Sequence, residues 1–147
     1  MPELGHRFGI PQLLVTLAAA AILVHLYGLY RPTGPPTSLR FPYADKVQHL
    51  LGFAVPVCLV LTARWRWQLR SGGVLTRRFT LLVVAVFALH AVVSELAQHF
   101  FYLHRTGDYV DALADWVGVA LGWAMALLAR HGWHLRATRA AVPARAA

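Results

Sequence analysis

A single cysteine, Cys58, stands in the whole chain of 147 residues. That excludes an intramolecular disulfide and any CxxC metal or redox pair. Cys58 lies inside an apolar run and reads as a small core hydrophobe. Acidic residues are also scarce, six against 14 lysines and arginines, for a formal net charge of +8. No HExxH stretch and no serine-nucleophile motif occurs, and Ser94 beside Glu95 is too weak a signal to stand for one. Charged residues make up only 14% of the chain, where a soluble domain carries about 25%. With 58% apolar residues and a mean hydropathy of +0.51, an ordinary soluble domain is excluded. The basic balance would point a soluble protein towards nucleic acid. Here no basic stripe with interleaved aromatics lies in a soluble segment, so no nucleic-acid partner is expected. The positive charge reads instead as a topology signal and as contact with anionic lipid headgroups.

What the chain does have is long apolar runs, several near or above the ~18–20 residues that cross a bilayer. The first, Gln12 to Tyr30, follows Arg7 and contains four consecutive alanines, as some signal peptides do. It is long for such a segment, ends in aromatics and lacks a clean A-x-A site, so a retained helix is expected, with Tyr27 and Tyr30 at the interface. Arg31 to Ala44 holds four prolines and a glycine and reads as a loop. Asp45 then looks like an N-cap, and the second helix runs to about Arg64 with a kink at Pro56. Arg64 to Arg78 reads as a basic connector broken by Gly72-Gly73. A third helix over 79–103, a turn at Arg105–Asp108 and a fourth helix over 110–129 complete a membrane domain spanning 1–130. Residues 131–147 are expected to be a basic, disordered tail.

The predicted fold class is therefore all-α, a polytopic membrane protein built as a four-transmembrane-helix bundle. With four spans, Arg7, five arginines of the Arg64–Arg78 connector and four in the tail share one side. Arg31, Arg40, Lys46 and Arg105 share the other. Ten against four puts both termini in the cytoplasm by the positive-inside rule.

Four of the six acids fall between Glu95 and Asp115, at the junction of the last two apolar runs. Ionisable groups within apolar spans are costly and mark a functional site by default. At 1.5 Å per residue, Glu95 lies roughly 12 Å below the outer end of its helix, and Gln98 and Asp115 about 7–8 Å below theirs. His25 and His49 fall at similar depth, so all four helices bring polar groups to the outer half. Spacing agrees: Glu95, Gln98, His99 and Tyr102 share a helical face, as do Asp45 and His49. Asp108, Asp111, Asp115, Gly118 and Gly122 form another stripe, whose G-x-x-x-G pair permits close approach of a neighbouring helix. His25 and His90 read as packed structural residues, and His99 and His104 as interfacial ones.

These residues carry a resemblance. D-K-x-x-H at Asp45, Lys46 and His49, E-x-x-Q at Glu95 and Gln98, and R-x-x-D-x-x-D-x-x-x-D-x-x-G-x-x-x-G from Arg105 to Gly122 together resemble the VanZ-like family of small bacterial integral membrane proteins. The family pattern usually has asparagine where this chain has Asp115. The family is named for a protein associated with resistance to teicoplanin, a glycopeptide antibiotic. The resemblance thus implies the outer face of the bacterial inner (cytoplasmic) membrane, a role in the cell envelope, and antibiotic resistance as one form of it.

Glu95, Gln98, Arg105, Asp111 and Asp115 can be read as a hydrogen-bonded lock between helices, since buried ions usually pair, but five acids against few nearby cations exceed what a lock requires. Two functional readings stay open. In the first, a polar mouth binds a lipid-linked envelope precursor or a membrane-lipid headgroup. Lys46 and Arg105 would hold phosphate, while Asp45, Gln98, Asp108, Asp111 and Asp115 orient them or accept an amine or sugar hydroxyls. In the second, a membrane-embedded hydrolase or transferase uses Glu95 and His49 as its acid/base pair. Asp111, Asp115 and His49 could alternatively hold a divalent metal as cofactor. A proton or ion pathway fits less well, because the polar groups stop in the outer half.

Overall fold

A computed structural model of the chain describes residues 9–31, 42–72, 77–102 and 107–141. Four helices account for nearly all of them: α1 (Ile10–Tyr30), α2 (Ala44–Ser71), α3 (Arg77–Phe101) and α4 (Tyr109–Ala141). There is no strand among the described residues. Each helix is long and apolar enough to cross a membrane.

The helix ends follow local chemistry. α1 begins with Pro11 in its first turn, where a missing N–H costs nothing, and ends as Arg31 turns extended ahead of Pro32. α2 is entered through Tyr43, which adopts a left-handed conformation (φ 64°) and accepts the first helical hydrogen bond from Val47 N–H. Asp45 is therefore not the N-cap expected from the sequence. It sits inside the first turn, where its carboxylate still favours the positive end of the helix dipole. α2 runs without a break through Pro56 and continues past Arg64 to Ser71. The basic connector expected there is largely helix, because nothing in RWRWQLRS breaks one. Gly72, left-handed at φ 69°, ends it by donating its N–H to the Gln68 carbonyl.

α4 likewise overruns its expected end at residue 129 and reaches Ala141, so residues 131–141 are helical rather than a disordered tail. Residues 142–147 lie outside the described residues. The two extensions meet. The Arg66 guanidinium lies 4.7 Å from the Trp133 ring centre and Arg130 5.5 Å from that of Trp65, so cation–π contacts tie the ends of α2 and α4.

α2 is the hub of the bundle, packed most extensively on α4 and then on α1. Its line of Phe53, Val57 and Leu61 is fully buried against Ala91, Val119 and Ala126. The α4 stripe places Gly118 over the Leu50 carbonyl and Gly122 over that of Ala54, so closely that a methyl group at either would collide with backbone oxygen. The expected close approach of a neighbouring helix at the G-x-x-x-G pair is thus to α2.

The polarity of the bundle is the reverse of a soluble one. Asp115 and Ser94 are 0% exposed and Gln98 is 2% exposed, while Val24 is 71% exposed and Leu128 72%. Apolar side chains face out all round, which suits lipid and not water.

Candidate functional site

The polar groups of α2, α3 and α4 converge where the start of α2 meets the end of α3 and the start of α4. Lys46 stands at the centre of the outer layer. Its Nζ lies 2.6 Å from Asp111 Oδ1, 2.7 Å from Asp108 Oδ2 and 3.2 Å from Asp45 Oδ2. The three donors of one ammonium are matched to three carboxylates, leaving it no spare donor for a phosphate. Asp108 also caps α4, its Oδ1 accepting the Val110 N–H at 2.9 Å. The Lys46 ammonium and this backbone donor hold the Asp108 carboxyl below the usual carboxylate range.

One helical turn deeper is His49. Its Nδ1 lies 2.9 Å from Asp115 Oδ1 and 3.8 Å from Glu95 Oε1, and its Nε2 lies 3.9 Å from Asp111 Oδ2. One imidazole therefore faces three carboxylates from two helices. Glu95 Oε2 accepts the backbone N–H of Asp108 at 2.9 Å. Gly107 makes that bond possible, since it lies so close to the Glu95 carbonyl that a Cβ there would collide with it. Glu95 Oε1 and Asp115 Oδ2 are buried and have no hydrogen-bond partner. Unmatched buried oxygens of this kind are costly, and a folded protein rarely keeps them without a use.

The structure thus brings together Asp45, Lys46, His49, Glu95, Asp108, Asp111 and Asp115 from the predicted set. Gln98 serves the packing of the bundle instead, donating its amide to the Leu29 carbonyl at 3.3 Å and tying α3 to α1. Tyr102 does the same through the Tyr30 carbonyl at 2.8 Å. Arg105 lies outside the described residues. Ser94 spends its hydroxyl on the Ala91 carbonyl within its own helix. His25 and His90 sit 5.4 Å apart in an aromatic cluster with Phe53, and the Nε2 of each is buried without a hydrogen-bond partner.

What the sequence did not reveal is a groove between α1 and α2, with a volume of about 350 Å³. Val24, Gly28, Leu51, Gly52, Val55 and Pro56 give it apolar walls, and His25, Gln48 and His49 supply its polar groups. It forms because α1 is held to α2 with two glycines, Gly28 and Gly52, facing the seam; a Cβ at Gly28 would meet open space. The glycines are visible in the sequence, but their common seam appears only when the helices pair. His49 belongs both to this groove and to the acid cluster, so the two are continuous.

Comparison with family models, with curated proteins and with solved structures found no match to the chain. Function is therefore read from the geometry.

Proposed function

We propose that this is an integral membrane protein that binds a membrane-embedded amphiphile, with the hydrocarbon chain in the α1–α2 groove and the polar head at the acid cluster. The observation that carries the reading is that one residue, His49, lines an apolar groove between α1 and α2 and also faces three carboxylates. At about 350 Å³ the groove is at the small end of ligand pockets, the size for one chain segment and too small for a bulky ring system. Because Lys46 is already shared among three aspartates, the head that fits best offers donors, an amine or sugar hydroxyls, to the carboxylates.

By the arginine distribution, both ends and the α2–α3 connection face the cytoplasm, and the cluster opens outward. That orientation favours a ligand among the lipid-linked molecules of a bacterial envelope, in line with the VanZ-like motifs at Asp45–His49, Glu95–Gln98 and Arg105–Gly122. A hydrolase or transferase using His49 and Glu95 is the second reading, favoured by their 3.8 Å approach at the end of the groove.

The test is lipid analysis of the protein purified in mild detergent, beside Gly28→Leu, which fills the groove from a position with free space. The wild type is expected to carry a co-purifying lipid that native mass spectrometry resolves, and Gly28→Leu to lose it without loss of helicity. Equal lipid retention in the two proteins would refute the groove as the binding site.

A further inference from the structure

We infer that His49, Glu95 and Asp115 form a binding site for a divalent transition-metal ion, of the zinc or manganese class. Each of the three offers one donor atom such that all three atoms lie within 4.8 Å of one another. The metal site shares its cluster with the lipid reading but is supported by separate observations.

The first is the pair of orphaned oxygens. Asp115 is 0% exposed and Glu95 7%, yet Glu95 Oε1 and the second oxygen of the Asp115 carboxylate, Oδ2, have no hydrogen-bond partner, whereas Asp115 Oδ1 faces His49. Glu95 Oε1 points at His49 Nδ1 across 3.8 Å, too far for a hydrogen bond. The second is charge. Around His49 the interior holds one ammonium, Lys46, and three carboxylates, Glu95, Asp111 and Asp115, a net of two negative charges with a neutral imidazole. A divalent cation cancels that charge.

The third is spacing. Two donors bound to one tetrahedral ion at 2.0–2.2 Å stand roughly 3.4 Å apart. The His49–Asp115 and His49–Glu95 separations of 2.9 Å and 3.8 Å bracket that value, so each adjusts by about half an ångström to close on an ion. The fourth is the far side of the ring. A ligating histidine donates its other N–H to a carboxylate or carbonyl. Asp111 Oδ2, on the carboxylate that Lys46 holds, lies 3.9 Å from His49 Nε2, and the ring must close on it by about an ångström to make that bond. The ion takes the position of the proton that His49 Nδ1 otherwise shares with Asp115.

One imidazole and two carboxylates suit zinc or manganese, whereas magnesium and calcium favour an all-oxygen set. Three protein ligands leave a coordination position open. The head of an amphiphile in the groove would reach it beside His49. A metal-held phosphate then becomes compatible with a site whose own lysine is committed.

The experiment is elemental analysis of tag-free protein in detergent after equilibration with zinc or manganese and desalting, with no lipid added. About one ion per chain is expected in the wild type and in the outward-facing control Leu128→Ala, and at least a tenfold loss in Asp115→Asn and Glu95→Gln. Because these variants could unfold, the wild type is also examined by X-ray absorption at the metal edge, expected to show nitrogen and oxygen at about 2.0–2.2 Å with imidazole scattering and no sulfur. An unoccupied wild type, or variants that stay folded and keep the same ion and spectrum, would overturn the inference. Because lipid binding is read separately through Gly28→Leu, either idea can fail while the other stands.

Discussion

Replacing Gly118 by alanine tests how the bundle is held together. In a water-soluble helix the change would gain about 1 kcal/mol of helix propensity. Between spans that gain largely disappears, since an unpacked transmembrane segment stays helical in lipid. What remains is the collision. A Cβ at Gly118 would overlap the Leu50 carbonyl oxygen and sit 3.1 Å from both Leu50 C and Phe53 Cβ. The obstacle is backbone, which cannot rotate aside as a side chain does, so α4 must move off α2 or tilt. Overpacking of this kind costs about 1–3 kcal/mol. For a chain of this size that amounts to a fall in melting temperature of roughly 3–10 °C. Gly122→Ala meets the Ala54 oxygen in the same way and should cost a similar amount alone. The double variant should cost less than the sum, because the first displacement makes room for the second. Gly28→Ala, facing open space, is the matched control and should shift the midpoint by little. The assay is thermal unfolding in detergent, followed by tryptophan fluorescence, to which Trp116 and Trp123 on either side of Gly118 contribute. A Gly118→Ala protein as stable as the wild type would refute the backbone-to-backbone contact.

Lys46→Met should be more damaging than its partial exposure suggests, because it strands Asp111, whose side chain is 11% exposed. Breaking a fully buried pair costs about 3–5 kcal/mol; with the Lys46 side chain 23% exposed we expect about 2–3 kcal/mol, read from the same melts, with partial recovery in Lys46→Met/Asp111→Leu. The ion pair at Asp108 also predicts a pH dependence. Its carboxyl is held below the unfolded value of about 4, so it stabilises the fold fully above that pH, and the contribution disappears as pH falls through the lower folded value. Asp108→Asn should therefore flatten the acid limb of a melting-temperature profile between about pH 5 and pH 2 and leave its shape near neutrality unchanged; an unaltered acid limb would contradict the pairing.

The four long apolar helices were legible because a run of apolar residues is itself the physical requirement for crossing lipid. Their ends were not. Apolar length measures the hydrocarbon crossed, whereas a helix continues until something stops it, and α2 has no stop until Gly72. Its arginines are also not simply solvated, since Arg66 stacks on Trp133, a contact between residues far apart in the chain. Within the site, three- and four-residue spacing correctly put Asp108, Asp111 and Asp115 on one stripe and Glu95 with Gln98 on another. Residues on one face nonetheless serve different ends, for Glu95 meets His49 while the Gln98 amide is bonded to the Leu29 carbonyl of α1. Nor could spacing show that Lys46 would be divided among three carboxylates, because that depends on how closely α4 settles on α2.

That α2 pairs chiefly with α4, and not with its neighbour in sequence, has a consequence for biosynthesis. Lys46 and Asp108 are separated by 62 residues, His49 and Asp115 by 66. At about 5–20 residues per second, a ribosome takes roughly 3–13 s to supply the second half of each pair. For that interval the start of α2 has only Asp45 beside Lys46, and its acidic partners on α4 are unmade. The site is therefore completed only when α4 arrives, and α2 is made well before the charges that neutralise it.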